Sequence, residues 1–184
     1  MSAEELIPLH GARAIQGAVR RLATAIDSDT HGDPLTVVGV LKGSFVFLAD
    51  LLRSLKSPVT VDFVRIASYG KGVSPEEVRF INDVEVPLLG RDVLIVDDIV
   101  DTGLTATFLK RHLRRKRPRS CRFCALLDKP SRRVVDIDPD YCAFVVPDVF
   151  VVGYGLDMNE RYRELPGLYS IAPAASVNRR RKHG

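Results

Sequence analysis

The chain has 184 residues, 46% of them hydrophobic, and a formal net charge of +4, enough apolar material for one buried core and too much for a disordered chain. No apolar run approaches the roughly 20 residues that a bilayer span needs, and the opening MSAEELIPLH has acidic residues and no apolar block, so neither a membrane anchor nor a secretory signal is expected. A single cytoplasmic domain follows as the expectation.

From Gly11 to Asp27 the residues Ile15, Val19, Leu22 and Ile26 recur at helical spacing, with Arg13, Arg20 and Arg21 on the wet side. His31-Gly32-Asp33-Pro34 stops that helix. LTVVGVL, Leu35 to Leu41, is the unbroken apolar run of a strand covered on both faces, and SFVFLADLLRSL has the period of a following helix. VTVDFVRI, Val59 to Ile66, is rich in β-branched residues; VLIV, Val93 to Val96, reads as another buried strand and TATFLKRHLRR as a helix; CRFCALL and YCAFVV read as two more strands. This alternation predicts an α/β fold with a parallel twisted sheet flanked by helices. The polar stretch between Ser68 and Gly90 is expected to be a flap with a short ribbon at Val78 to Ile81. Beyond Pro147 the pattern is irregular, which predicts a smaller lobe over the sheet edge from Val149 to Ala172.

The cysteines Cys121 and Cys124 have a spacing that can mean metal or redox chemistry. In a strand, however, side chains three apart point to opposite faces and cannot hold one ion, so free thiols are expected. Positive charge is clumped in Arg111 to Arg119 and in the final NRRRKHG. Neither stretch has interleaved aromatics or a reading motif, so a solvated helix end and a frayed tail are expected rather than a nucleic-acid site.

The chemistry-bearing stretch is VLIVDDIVDTGLT. In doubly wound sheets ligands sit beyond the carboxyl ends of the strands, where this strand delivers Asp97 and Asp98. Asp101-Thr102-Gly103-Leu104-Thr105 then turns into a helix. Glycine allows close backbone approach, two hydroxyls can donate, and the helix start offers free N–H groups, so the loop can cradle a monophosphate. The nucleoside-triphosphate form of the cradle, GxxxxGK[ST], is absent.

This segment resembles the signature of the type I phosphoribosyltransferases, and within them most closely the hypoxanthine-guanine group. GVLKGSFVFLADL, RIASYG, and LLDKPSRR followed by PDVFVVGYGLDMNERYRELPGL extend the likeness from about Val37 to Leu168 in the family's order. The resemblance implies the type I fold in one domain, 1–184: a core over about 30–147, a small hood from about 148–173 with N-terminal elements, and a flexible basic tail at 174–184. It also implies Mg²⁺-dependent transfer of phosphoribose from phosphoribosyl pyrophosphate to a 6-oxopurine, by a homodimer or homotetramer with no membrane or nucleic-acid partner.

By the same resemblance Asp97 and Asp98 face the ribose hydroxyls and a metal, and Thr102, Gly103, Leu104 and Thr105 hold the 5′-phosphate. Asp101 lies near purine N7 as general base or electrostatic partner, unless it merely caps the helix. Lys42 and Gly43 form the pyrophosphate turn, Ser68 and Tyr69 the flap dipeptide, and Arg163 meets pyrophosphate. Lys129 donates to the purine O6, although a lone lysine is more often solvated surface. Phe150 stacks on the base, unless it is ordinary core, and the backbone of Val151 reads the base edge. Asp157 completes a second Mg²⁺ site. The chain departs from the family at Asp97, where glutamate is commoner, and at Leu104, where some relatives have lysine.

Two other readings stand beside this one. One is a regulator of the same fold that senses phosphoribosyl pyrophosphate and touches nucleic acid through its arginine clumps, since one fold hosts many functions. The other is a transferase that prefers xanthine.

Overall fold

A computed structural model describes residues 5–68 and 78–172 of the chain. The elements are β1 (Leu6–His10), α1 (Ala12–Thr30), β2 (Leu35–Leu41), α2 (Phe45–Ser54), β3 (Val59–Ser68), β4 (Val78–Asn82), β5 (Asp92–Val100), α3 (Leu104–Arg114), β6 (Ser120–Asp128), β7 (Tyr141–Val145), β8 (Val151–Val152) and β9 (Leu168–Ile171). Six of the strands form one sheet in the order β4-β3-β2-β5-β6-β7, parallel except for the antiparallel edge strand β4. β1, β9 and β8 form a separate antiparallel sheet.

The period of β5 decides which face each helix covers. Leu94 and Val96 pack into a cluster with Ile15, Val19, Leu22 and Ile26 of α1 and with Phe47, Leu48 and Leu51 of α2. Their neighbours Val93 and Ile95 point the other way, into a cluster with Ala106, Leu109 and Leu113 of α3. A helix layer on each face thus buries the central strands on both sides, which is why β2 and β5 read as unbroken apolar runs. All four periodic residues expected to bury one face of α1 are buried.

Several expectations need correction. β5 does not stop at Val96: it pairs with β6 through Asp97↔Ala125, Ile99↔Leu127 and Val100↔Asp128, so the two aspartates lie within the strand. The polar stretch before Gly90 is not all flap, because Val84 and Leu88 are buried in the α3-side cluster. A strand at Leu6–His10 was not expected; it is held by pairing with Leu168–Ile171.

Cys121 packs against one cluster and Cys124 lies within the other, as strand alternation requires, and all three cysteines are free thiols. At the basic end of α3, Arg111, Arg114, Arg115, Arg117 and Arg119 are exposed as expected, while His112 and Lys116 share Asp83, each at 2.8 Å. Tyr69 and the NRRRKHG tail lie outside the described residues. Among the described residues no helix is long and apolar enough to cross a membrane.

Candidate active site

The carboxyl ends of β2, β5 and β6 converge. β2 ends in a turn at Lys42, Gly43 and Ser44, where the Leu41–Lys42 peptide is cis. Ser44 is fully buried and its hydroxyl donates back to the Val40 carbonyl at 2.5 Å, tying the turn to its strand. Gly43 has no room for a side chain, since an added carbon would overlap the Asp98 carboxylate. The glycine is therefore required by close approach, not by its dihedral angles.

Asp97 is only 5% exposed, and its Oδ1 accepts the backbone N–H of Asp98 at 2.9 Å. Burial, and then the adjacent Asp98 charge, push the Asp97 carboxyl well above the ordinary carboxylate range; burial pushes Asp98 up as well. A carboxylate pair with one member buried and the other half-buried calls for hydroxyl donors or a cation, and hard oxygen ligands suit Mg²⁺. Among the described residues no three His, Cys, Asp or Glu side chains cluster closely enough to hold a metal, so a cation here would draw further ligands from substrate and water.

Beyond β5 the loop Asp101 to Gly103 leads into α3. The residue that caps α3 is Gly103, at φ 84°, with no side-chain cap. Asp101 does not cap the helix: its Oδ1 accepts from Arg132 Nε at 3.0 Å. Thr102 Oγ1 accepts weakly from the Leu104 N–H at 3.4 Å. The Leu104 side chain is buried, leaving its backbone as the part that can serve a ligand, while Thr105 is half-buried. The N–H groups at the start of α3 and its dipole suit an anion.

The loop is held from beneath by residues that sequence reasoning passed over. Arg133 pairs with Asp128, both nearly buried, and donates to the carbonyls of Val100 at 2.8 Å, Asp101 at 2.6 Å and Ile137 at 2.8 Å. Gly103 lies against Arg133, Val135 and Ile137, and the Val134 N–H reaches the Thr102 carbonyl at 3.1 Å. With the carbonyls of Val100 and Asp101 turned down to the guanidinium, the loop cannot collapse onto its own strand. The signal was the second arginine of LLDKPSRR, but its target is 33 residues away from it in the chain.

Lys129 follows β6, with its N–H on the Val100 carbonyl at 3.0 Å. Its side chain is 7% exposed and makes no hydrogen bond or ion pair to any described residue. Phe150 is 54% exposed, so it is not core. Its carbonyl accepts from Ile171 at 3.1 Å, and the buried Val151 pairs with Ser170 in the smaller sheet.

Arg163 donates to Asp157 Oδ1 at 2.7 Å, to Glu160 at 3.1 Å and to the Gly155 carbonyl at 2.7 Å. Glu160, also missed from the sequence, pairs with Lys42 at 2.9 Å and so joins this segment to the turn after β2. Gly155 packs on the Gly43 carbonyl with no space for a side chain, at φ 102°. Asp157 has both oxygens engaged, the second by the Glu160 N–H at 2.8 Å. The structure thus brings together Lys42, Gly43, Asp98, Asp157 and Arg163 on one side, and Asp101 to Thr105 with Lys129 on the other. Of the flap dipeptide, the backbone of Ser68 pairs with Val78 at the end of β3, and Tyr69 lies outside the described residues.

At the carboxyl edge of the parallel sheet stand a carboxylate-bearing strand end and an amide-lined helix start, groups suited to a sugar phosphate. The profile of the phosphoribosyl transferase domain matches residues 9–159, and the chain belongs to the phosphoribosyltransferase family. It is 44% identical over 159 residues to a hypoxanthine-guanine phosphoribosyltransferase of Aquifex aeolicus, covering 85% of this chain and 89% of that protein. It is 42% identical over 164 residues to the hypoxanthine phosphoribosyltransferase of Escherichia coli K12, covering 89% and 92%. Among solved structures, a hypoxanthine-guanine phosphoribosyltransferase from Bacillus anthracis with HEPES in its active site superposes with a TM-score of 0.89 at 44% identity, covering 91% of this chain and 100% of that one.

Proposed function

We propose that this protein is a purine-salvage enzyme. It transfers the 5-phosphoribosyl group of phosphoribosyl pyrophosphate to N9 of hypoxanthine or guanine, giving IMP or GMP and pyrophosphate, as a cytoplasmic homodimer or homotetramer. The observation that carries the base assignment is Lys129: a buried cation with no partner among the described residues, on the strand end beside the Asp101 loop. A buried ammonium is costly unless something accepts its protons. The O6 of a 6-oxopurine does so, whereas the 6-amino group of adenine is itself a donor. The exposed ring of Phe150 offers a stacking face, and the names of the relatives support the same base class.

In this reading the amides and hydroxyls of Thr102 to Thr105 hold the 5′-phosphate, and Asp97 and Asp98 take the ribose hydroxyls. Lys42, Gly43 and Arg163 take the pyrophosphate, with Ser68 and Tyr69 contributing the flap. Arg163 turning to pyrophosphate frees Asp157 Oδ1. Mg²⁺ bound at Asp97, Asp98 and Asp157 would neutralise charge on the departing pyrophosphate. The free oxygen of Asp101 receives the purine N7–H as N9 attacks, Phe150 and the Val151 backbone fix the base plane, and the flap keeps water from the reactive sugar.

The test is nucleotide formation by the purified protein with Mg²⁺, phosphoribosyl pyrophosphate and hypoxanthine, guanine, xanthine, adenine or uracil offered singly. Product is expected with hypoxanthine and guanine and not with adenine or uracil. No product with any purine would refute the enzyme, and xanthine as the best substrate would refute the base assignment.

A further inference from the structure

Pro130–Arg132 forms a single 3₁₀ turn after Lys129, closed by the Arg132 N–H on the Lys129 carbonyl at 3.0 Å. This turn sets Arg132 over the catalytic loop. Its Nε donates to Asp101 Oδ1 at 3.0 Å, and its Nη1 lies 3.6 Å from Asp148 Oδ2. Asp148 stands two residues before Phe150, so the three side chains link the phosphate loop to the segment that carries the exposed aromatic. The other oxygen of Asp101 has no hydrogen bond or ion pair to a described residue.

We infer that Arg132 is a positioning residue: it holds one oxygen of Asp101 so that the other faces the purine, and Asp148 holds Arg132 in turn. The inference rests on the reading above that Asp101 meets purine N7. In the step it serves, the N9–C1′ bond forms, the bond from C1′ to pyrophosphate breaks with its electron pair leaving on pyrophosphate, and the N7 proton passes to the unheld oxygen of Asp101. A carboxylate gripped at one oxygen has fewer orientations to lose on reaching that geometry. An exposed ion pair of this kind contributes little to folding. The signature of a positioning role is therefore kinetic.

Two arginines of the following segment meet Asp101, Arg132 and Arg133. Arg133 holds the Asp101 carbonyl rather than its carboxylate, so Arg132 is the cation in contact with the acid.

The test uses the full chain as Arg132→Gln, Arg132→Lys, Asp101→Asn and the double variant Asp101→Asn/Arg132→Gln, with hypoxanthine, phosphoribosyl pyrophosphate and Mg²⁺. Arg132→Gln is expected to lower kcat roughly tenfold, a part of the 10²–10⁴ that positioned acid–base groups supply. The KM for phosphoribosyl pyrophosphate should stay within about twofold, and the thermal midpoint should not change. Arg132→Lys should recover part of kcat, and the double variant should be no slower than Asp101→Asn. A disabled Asp101→Asn beside an Arg132→Gln enzyme with normal kcat would overturn the inference alone, as would losses that multiply in the double variant. Full turnover by Asp101→Asn would overturn the reading of Asp101 and this inference with it.

Discussion

The two ends of the site are held in different ways. Beneath the loop Asp101 to Gly103, Arg133 and Asp128 form a pair that is 12% and 8% exposed, saturated with backbone carbonyls. Across the site, Lys42 and Glu160 form a pair that is 50% and 65% exposed. Buried pairs cannot exchange their partners for water without a large loss, whereas exposed pairs exchange them at little cost. The loop proposed to receive a phosphate is thus held in place by protein contacts alone. Lys42, proposed to receive pyrophosphate, is instead parked on the exposed Glu160 and can be drawn away.

The largest effect expected from this contrast comes from breaking the buried pair. Arg133→Met leaves the Asp128 carboxylate buried without its cation and frees the carbonyls of Val100 and Asp101. A loss of about 3–5 kcal/mol is expected by urea unfolding. Replacing both partners, as Asp128→Leu/Arg133→Met, should restore part of that stability. A cost below about 1 kcal/mol for Arg133→Met would mean that the loop does not depend on its support.

The exposed pair should behave in the opposite way. Glu160→Gln should change stability by less than about 1 kcal/mol. Because it removes a competitor for Lys42 and Arg163, the KM for phosphoribosyl pyrophosphate should fall about two- to fivefold, the equivalent of roughly 0.5–1 kcal/mol. The effect should shrink as salt is raised. A higher KM in this variant would show that Glu160 helps to hold the substrate rather than to keep its place.

The same contrast marks what could be read from the sequence. α1, β2 and the apolar half of β5 were legible because a periodic or unbroken apolar pattern reports burial directly, whereas β3 was legible only from its β-branched residues, since its Val59, Val61 and Phe63 are exposed. β1 was not, because five residues containing Pro8 carry no such pattern and become a strand only through pairing with Leu168–Ile171. The end of β5 was misplaced because charge suggested a loop, yet its ladder with β6 continues through Val100. In the site, Asp97, Asp98 and Asp101 stood out by sequence order and by resemblance. Arg132, Arg133 and Glu160 did not, since an arginine or glutamate in a polar stretch looks solvated until the fold brings its partner from 31 to 118 residues away. Asp101 shows the converse: capping was a sound local expectation, and a tertiary contact to Arg132 displaced it.

The central claim, a site selective for 6-oxopurines around a buried cation, is tested most directly by kcat/KM for hypoxanthine in Lys129→Met. Methionine keeps most of the volume and removes the charge. The lost hydrogen bond from a charged donor is worth about 2 kcal/mol, so kcat/KM should fall roughly thirtyfold. The KM for phosphoribosyl pyrophosphate should barely change, and the fold should be no less stable without an uncompensated ammonium. An undiminished kcat/KM for hypoxanthine would contradict the account.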